Sequence, residues 1–158
     1  MVDNTEFTTL FEGWGIGKDG YGGGTVNHAW SGGGLTILSQ YLCGVAPVEP
    51  GYKTFHILPQ PGDVTYASAE IASVSGRITA SFTNNANEFT LTASVPTGTK
   101  AILGLPGKAY RQITLNGIVI WANGRYIHSK NAQPFIDPAT DRFEFKLDKG
   151  HWILAGKR

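Results

Sequence analysis

Five side chains near the start of the 158-residue chain are of types that bind or act on a ligand. They are Glu12, Trp14, Asn27, His28 and Trp30. A carboxylate supplies acid–base chemistry at the anomeric centre of a sugar. Indole faces stack on the C–H surfaces of sugar rings, while asparagine and histidine bond hydroxyl groups. The set therefore indicates a carbohydrate site.

The same residues also have structural interpretations. A lone glutamate near the end of a chain is usually solvated, as charged side chains generally are. Trp14 and Trp30 belong to a residue type that is more often buried in a core than exposed as a ligand platform. His28 lies where it can cap the start of a helix. Residue types alone leave both interpretations open.

Composition and charge exclude several other classes of protein. Thirteen Lys and Arg against 12 Asp and Glu give a net charge of +1, so we expect no nucleic-acid partner, which requires a basic face. No apolar run of about 18 residues is present to span a membrane. One cysteine, Cys43, and four histidines without ligand spacing predict neither a metal site nor a cofactor. The glycine clusters lack the strand and helix that flank a nucleotide-binding loop.

The elements that must position the five side chains begin with a loop and a helix. Residues 13–34 are dense in glycine, which is typical of loops. Leucines three and four residues apart then predict an amphipathic helix over 31–43. Ser31 is its predicted N-cap, and Gly44 is predicted to follow its last turn. A lone helix of this kind needs an apolar partner surface.

The hydrophobic period changes from 3.6 to 2 after residue 51, which is typical of strands. Asn116 and Gly117 separate two of the predicted strands and strongly favour a hairpin. Such short, closely spaced strands predict a mainly β fold, an antiparallel β-sandwich preceded by the glycine-rich loop and one helix. The strand-like runs are 54–58, 67–75, 77–82, 88–95, 100–105, 112–115, 118–121, 141–147 and 150–154.

Four segments, in order, resemble the C-terminal part of bacterial α-L-rhamnosidases of glycoside hydrolase family 78. They are Thr-Thr-Leu-Phe-Glu-Gly-Trp at 8–14, Asn-His-Ala-Trp-Ser-Gly-Gly at 27–33, Gln-Tyr-Leu-Cys-Gly-Val-Ala-Pro-Val-Glu-Pro-Gly-Tyr at 40–52, and 55–62 ending in Leu-Pro-Gln-Pro-Gly. The order of the four is specific, whereas each segment alone is a weak signal. The chain departs from the family pattern at Phe11, Gly13 and Gly34, where tryptophan, a larger residue and proline are common.

The resemblance implies a fold and a reaction. The family has an (α/α)6 catalytic barrel followed by a C-terminal β-sandwich. Residues 1–45 are then the end of the barrel, and 46–158 are the sandwich that braces it. The family hydrolyses terminal α-L-rhamnose with inversion, using two carboxylates. The second carboxyl is implied to lie upstream, so we expect the parent to be a glycosidase and this chain alone to be inactive.

The resemblance also implies roles for the five side chains. Glu12 occupies the position of the glutamate that acts as general base. His28 lies in the family's Asn-His element and is implied to contact the substrate. Asn27, Trp14 and Trp30 are implied to line or support the same substrate site.

The implied partners are a rhamnose-containing glycoside and the upstream barrel. Without that barrel the apolar helix face is expected to be exposed, so we expect the chain to self-associate through it. The first residues lack the features of a signal peptide. Because the resemblance implies further chain upstream, the compartment of the bacterial parent (cytoplasm, periplasm or outside the cell) stays open.

Two functions of other classes remain open alongside this one. The chain can be a non-catalytic β-sandwich of another glycosidase that binds carbohydrate or acts as an accessory module, which requires an exposed aromatic platform for binding. It can also be a self-contained structural or adhesive protein, which leaves the motifs around Glu12 and His28 unexplained. The aromatic residues considered for a platform are Tyr52, Tyr66, Tyr110, Trp121 and Tyr126.

Overall fold

The computed structural model of the protein describes residues 11–13, 25, 27–127, 133–135 and 142–158. Trp14, one of the predicted substrate-binding residues, lies outside the described residues. The chain forms two compact units, Met1–Leu38 and Ser39–Arg158. The second unit contains the strands.

Twelve strands are present in the described part of the second unit. They form a five-stranded sheet in the order β1-β2-β6-β11-β10 and a seven-stranded sheet in the order β3-β4-β5-β12-β7-β8-β9. In chain order the strands are β1 (Val45–Pro47), β2 (Thr54–Ile57), β3 (Tyr66–Ser73), β4 (Gly76–Asn84), β5 (Glu88–Val95), β6 (Lys100–Pro106), β7 (Gln112–Leu115), β8 (Ile118–Ala122), β9 (Arg125–Tyr126), β10 (Gln133–Phe135), β11 (Arg142–Leu147) and β12 (Gly150–Lys157).

The predicted antiparallel sandwich is confirmed, with one parallel exception. Neighbouring strands pair antiparallel except β2 and β6, which run parallel from Thr54 opposite Lys100 to Ile57 opposite Leu103. A parallel pair needs a long crossover connection. Here β3, β4 and β5 provide that connection, and all three belong to the other sheet.

The core lies between the two sheets and follows the alternation of the strands. In β5, Phe89, Leu91, Ala93 and Val95 are buried, while the residues between them face outwards. The same period buries one face of the neighbouring β4 and of β6 in the opposite sheet. Each fully buried large apolar side chain stabilises the fold by about 1.5–3 kcal/mol. The hydrophobic period therefore fixes which face of each strand meets the other sheet.

The predicted hairpin at Asn116 and Gly117 is confirmed. Both residues have positive φ, 49° and 79°, as a two-residue turn between twisted strands requires. The loop between β4 and β5 is stabilised in a different way, by the side chain of Asn85. Its Oδ1 accepts hydrogen bonds from the backbone N–H groups of Asn87 (2.9 Å) and Glu88 (3.0 Å), which closes the loop between β4 and β5.

The predicted helix over 31–43 is present but is not one regular α-helix. A 3₁₀ turn at Ala29–Gly32 leads into α1 (Gly33–Ile37), and a wider π-helical turn follows over Leu38–Leu42. Three consecutive glycines in the first half weaken the α-helical preference, which is consistent with the irregular turns. No helix among the described residues is long and apolar enough to cross a membrane.

The predicted N-cap at Ser31 is wrong. Gly32 precedes α1 without a side-chain cap, because the hydroxyl of Ser31 donates instead to the carbonyl oxygen of Phe11 at 2.6 Å. Gly44 follows the last turn as predicted and has a φ of 74°. A Cβ atom there would lie 2.1 Å from the carbonyl carbon of Leu58, so this close approach requires glycine.

Candidate functional site

The candidate site begins with a backbone pairing between two segments of the first unit. The N–H of Glu12 donates to the carbonyl oxygen of Thr25 at 3.0 Å. In return the N–H of Thr25 donates to Oε2 of the Glu12 side chain at 2.9 Å. The two bonds tie the backbone and the carboxylate of Glu12 to one residue, so the carboxylate has a fixed direction although Glu12 is exposed.

His28 joins the same cluster. Its Nδ1 lies 2.6 Å from the hydroxyl oxygen of Thr25 and 3.6 Å from Oε2 of Glu12. The first distance is that of a hydrogen bond, whereas the second is an electrostatic contact. Glu12, Thr25 and His28 therefore form one polar cluster, although 15 residues separate the first from the last.

The backbone around His28 is held by the turn that follows it. His28 has an extended conformation, with φ −119° and ψ 118°, and precedes the 3₁₀ turn. The N–H of Ser31 donates to the carbonyl oxygen of His28 at 3.1 Å, while its hydroxyl reaches the carbonyl of Phe11. Ser31 thus links the helical turn to the segment that carries Glu12. Its role is positional, not the helix cap that the sequence predicts.

Trp30 completes the arrangement. Its ring stacks on the imidazole of His28 with 4.6 Å between the ring centroids and 25° between the planes. The residue is 76% exposed, so the interpretation of Trp30 as a core residue is wrong. One face of the indole supports His28, and most of the ring is accessible to a ligand. A sugar ring presents the C–H surface that such an exposed indole binds.

The cluster is accessible from solvent. The side chain of Glu12 is 37% exposed and that of His28 is 22% exposed. The contacts that the structure gives to the Glu12 carboxylate fall on Oε2. The arrangement therefore has the parts to accept a proton on a carboxylate oxygen and to bond a ligand through an imidazole and an indole. Asn27 is exposed beside these residues in the sequence.

Thr25 is the residue that sequence reasoning missed. It lies three positions before His28 and belongs to no pattern that sequence analysis can interpret. Its contacts depend on the backbone pairing with Glu12, which only the three-dimensional structure reveals.

The aromatic side chains of the sandwich are less suited to bind a ligand. Tyr66 is 61% exposed on the edge strand β3, whereas Tyr52, Trp121 and Tyr126 pack partly buried against the core. Tyr110 is buried, which raises the pKa of its phenol against the opposing effect of Arg158. The five aromatic residues thus do not form a shared platform. Within the described residues, no group of three His, Cys, Asp or Glu side chains is placed to hold a metal ion.

Comparison with known proteins finds similarity to alpha-L-rhamnosidases. Residues 44–118 match the family described as the bacterial alpha-L-rhamnosidase C-terminal domain. An alpha-L-rhamnosidase of Streptomyces avermitilis is 38% identical over 66 residues, which are 41% of this chain and 6% of that protein.

Solved structures show the same likeness in the fold. The alpha-L-rhamnosidase of Dictyoglumus thermophilum superposes with a TM-score of 0.77 at 21% identity, over 96% of this chain and 16% of its own. That of Streptomyces avermitilis, complexed with L-rhamnose, gives 0.71 at 25% identity over 94% of this chain and 14% of its own. The alpha-L-rhamnosidase of Aspergillus terreus gives a TM-score of 0.55 at 24% identity, over 89% of this chain and 14% of its own. The chain thus spans a small part of each relative.

Proposed function

Because residues 44–118 carry the C-terminal domain of bacterial α-L-rhamnosidases, we propose that the chain is the end of a larger enzyme that hydrolyses terminal α-L-rhamnose. Residues 1–45 then complete a catalytic barrel, and 46–158 form the C-terminal sandwich. One observation carries the proposal: the cluster of Glu12, Thr25 and His28 lies upstream of the matched domain. A carboxylate, an imidazole and an exposed indole brought together are the parts of a sugar site.

The proposed chemistry assigns one role to each side chain. Glu12 is the general base that removes a proton from water as the water attacks the anomeric carbon. In an inverting glycosidase the two carboxyl groups are about 6.5–9.5 Å apart, which leaves room for that water. The general acid comes from the upstream part of the parent. His28 bonds a sugar hydroxyl, Trp30 stacks on the ring, and Asn27 and Trp14 complete the substrate site.

The sandwich has a bracing role in this proposal. The last helical residues, from Ser39 to Leu42, belong to the second unit, where Leu42 packs against the core. The N–H of Gln60 donates to the carbonyls of Tyr41 (3.0 Å) and Leu42 (3.3 Å), and the N–H of Leu58 donates to that of Gly44 (3.0 Å). These bonds fix the end of the helix to the strand β2 and its exit.

The test is hydrolysis of p-nitrophenyl α-L-rhamnoside by three proteins: the chain as given, a polypeptide extended upstream into the parent gene, and Glu12→Gln in the extended form. We expect activity only in the extended protein, reduced by about 10²–10⁴-fold in the variant, the usual contribution of a general base. Glu49→Gln is the matched control, since Glu49 is an exposed carboxylate that accepts a bond from Thr54 in the sandwich.

Two results would contradict the proposal. Turnover by the short chain alone would show that no upstream carboxyl is needed. Activity of the extended protein that is unchanged in Glu12→Gln would remove Glu12 from the reaction. The stereochemistry is tested separately by ¹H NMR of the first product, because inversion releases the β-anomer of rhamnose.

A further inference from the structure

Thr25 makes two different contacts in the cluster, one through its backbone and one through its side chain. The N–H bonds the Glu12 carboxylate, and the hydroxyl lies 2.6 Å from Nδ1 of His28. The backbone bond is available to any residue except proline. The hydroxyl contact is not, so the identity of residue 25 matters for His28 alone.

The short distance indicates which partner donates. An N–H group that donates to oxygen gives separations of about 2.7–3.2 Å, and hydroxyl donors also give shorter ones. The 2.6 Å contact lies below the N–H range, so it favours the hydroxyl of Thr25 as donor and Nδ1 as acceptor. The proton of the neutral ring is then on Nε2, because the nitrogen that accepts a bond carries no hydrogen.

We propose that Thr25 is a positioning residue that keeps Nε2 of His28 a hydrogen-bond donor, so that His28 donates to an acceptor oxygen of a saccharide ligand. The saccharide rests on the proposed function, whereas the state of the ring does not. The charged group facing Nδ1 is the carboxylate of Glu12. If the ring takes up a second proton, Nδ1–H can donate to the Thr25 oxygen, and Nε2 remains a donor. In both states Nε2 carries a hydrogen that it can donate.

Without the hydroxyl of residue 25, the tautomer with hydrogen on Nδ1 of His28 becomes more stable. A hydrogen on Nδ1 would face the Glu12 carboxylate at 3.6 Å, and a small movement would make a bond. Nε2 would then become an acceptor and would favour a different ligand group. Thr25 thus determines whether Nε2 of His28 donates or accepts a hydrogen bond. Stacking on Trp30 holds the plane of the imidazole ring.

The test is long-range ¹H–¹⁵N NMR of the histidine rings in the full chain at about pH 8.5, where a histidine side chain is ordinarily uncharged. His28→Gln identifies the signal among the four histidines. We expect His28 with hydrogen on Nε2 in the wild type and in Thr25→Ser. In Thr25→Val we expect the tautomer ratio to move at least about five-fold towards Nδ1–H, the effect of one net hydrogen bond.

The proposal is overturned by a neutral wild-type ring with its hydrogen on Nδ1, or by an unchanged ratio in a folded Thr25→Val. It is also overturned by a wild-type ring that is still doubly protonated at about pH 8.5, because Glu12 and not Thr25 would then keep Nε2 a donor. The wild-type spectrum decides the first point even if the valine variant does not fold. In the extended polypeptide, Thr25→Val is expected to raise KM about ten-fold more than Thr25→Ser. If the extended wild-type polypeptide does not hydrolyse the rhamnoside, the proposed function is refuted, whereas the NMR result on His28 is unaffected.

Discussion

At the residue scale, the candidate site depends on one exchange of bonds. The N–H of Glu12 donates to the carbonyl oxygen of Thr25, and the N–H of Thr25 donates to the Glu12 carboxylate and so orients it. Sequence analysis selects Glu12, His28 and Trp30 because carboxylate, imidazole and indole are recognisable chemical types. It does not select Thr25, because a hydroxyl three residues before a histidine is common and its meaning comes from the pairing. Residue type therefore indicates candidate chemistry, whereas the orientation of the side chains depends on the three-dimensional structure.

Cys43 allows a prediction about alkaline pH. Burial raises the pKa of its thiol above the usual value of 9.0. Between the unfolded and folded pKa values, the native chain holds a proton that the unfolded chain has released, so the free energy of unfolding falls as the pH rises. Urea unfolding at pH 8 and pH 10 should show a loss of up to about 1.4 kcal/mol from this group. The loss is absent below the usual pKa.

Cys43→Ala is the control for that measurement. The variant is less stable at both pH values because a buried side chain is shortened. Its loss of stability between pH 8 and pH 10 should be smaller than that of the wild type, since lysines and tyrosines titrate equally in both proteins. Equal losses in the two proteins would contradict the assignment to Cys43.

At the element scale, the strands that sequence analysis finds are those with a clear alternation and a turn at each end. It misses β1, β9 and β10, which are two or three residues long. β1 and β10 each contain a proline, which sequence analysis takes as a break in structure. Such short strands exist because a longer neighbour supplies their partners, as β2 does for β1. The helix is predicted in place, but its irregular turns and the role of Ser31 depend on contacts elsewhere.

The β7–β8 hairpin yields a prediction about Asn116. Its Oδ1 accepts from the N–H of Ile153 at 2.7 Å, and its Nδ2 donates to the carbonyl of His151 at 3.2 Å. Its side chain thus bonds β12 while its backbone adopts a φ of 49°. Asn116→Gly should lower the free energy of unfolding by about 1–3 kcal/mol through the lost bonds. Asn116→Ala should cost about 1–2 kcal/mol more, because alanine disfavours positive φ.

Asn123→Gly is the matched control in the next turn of the same sheet. Asn123 has a φ of 52° and is followed by Gly124, so its backbone resembles that of Asn116. It lacks the bonds to β12, and we expect its replacement to change stability by less than about 0.5 kcal/mol. Urea unfolding of the three variants separates the two effects. Equal costs at positions 116 and 123 would contradict a role for the Asn116 side chain.

At the scale of the whole molecule, the sandwich is better determined by the sequence than the site is. Its core follows a period of two over strand after strand, so local sequence and tertiary structure agree. The site is built from Glu12, Thr25 and His28, and the contacts of Glu12 join residues that are distant in the sequence. The chain also covers only 14–16% of the solved rhamnosidases that it resembles. The proposed mechanism assigns the second carboxyl to an upstream segment, so the sequence of this chain does not identify it.

The first unit exposes an apolar surface, here defined as Leu35, Ile37 and Leu38. These side chains are 51–70% exposed. Large apolar groups placed together in water favour association, since burying each removes about 1.5–3 kcal/mol of unfavourable hydration. In the parent, we expect upstream barrel helices to cover this surface. In the chain alone, we expect a second copy to cover it, so sedimentation velocity should show concentration-dependent dimers or larger species.

Charge placed on the apolar surface should abolish that association. Leu35→Glu and Leu38→Glu are each expected to raise the dissociation constant at least about ten-fold, because a carboxylate cannot be buried there without a partner. Val74→Glu is the control, since Val74 is 90% exposed in the turn between β3 and β4 and lies outside the surface. If Val74→Glu weakens association as much as Leu35→Glu does, the contact between copies involves the sandwich instead of the apolar surface. A wild-type chain that stays monomeric at every concentration would mean that the apolar surface is too small to drive assembly.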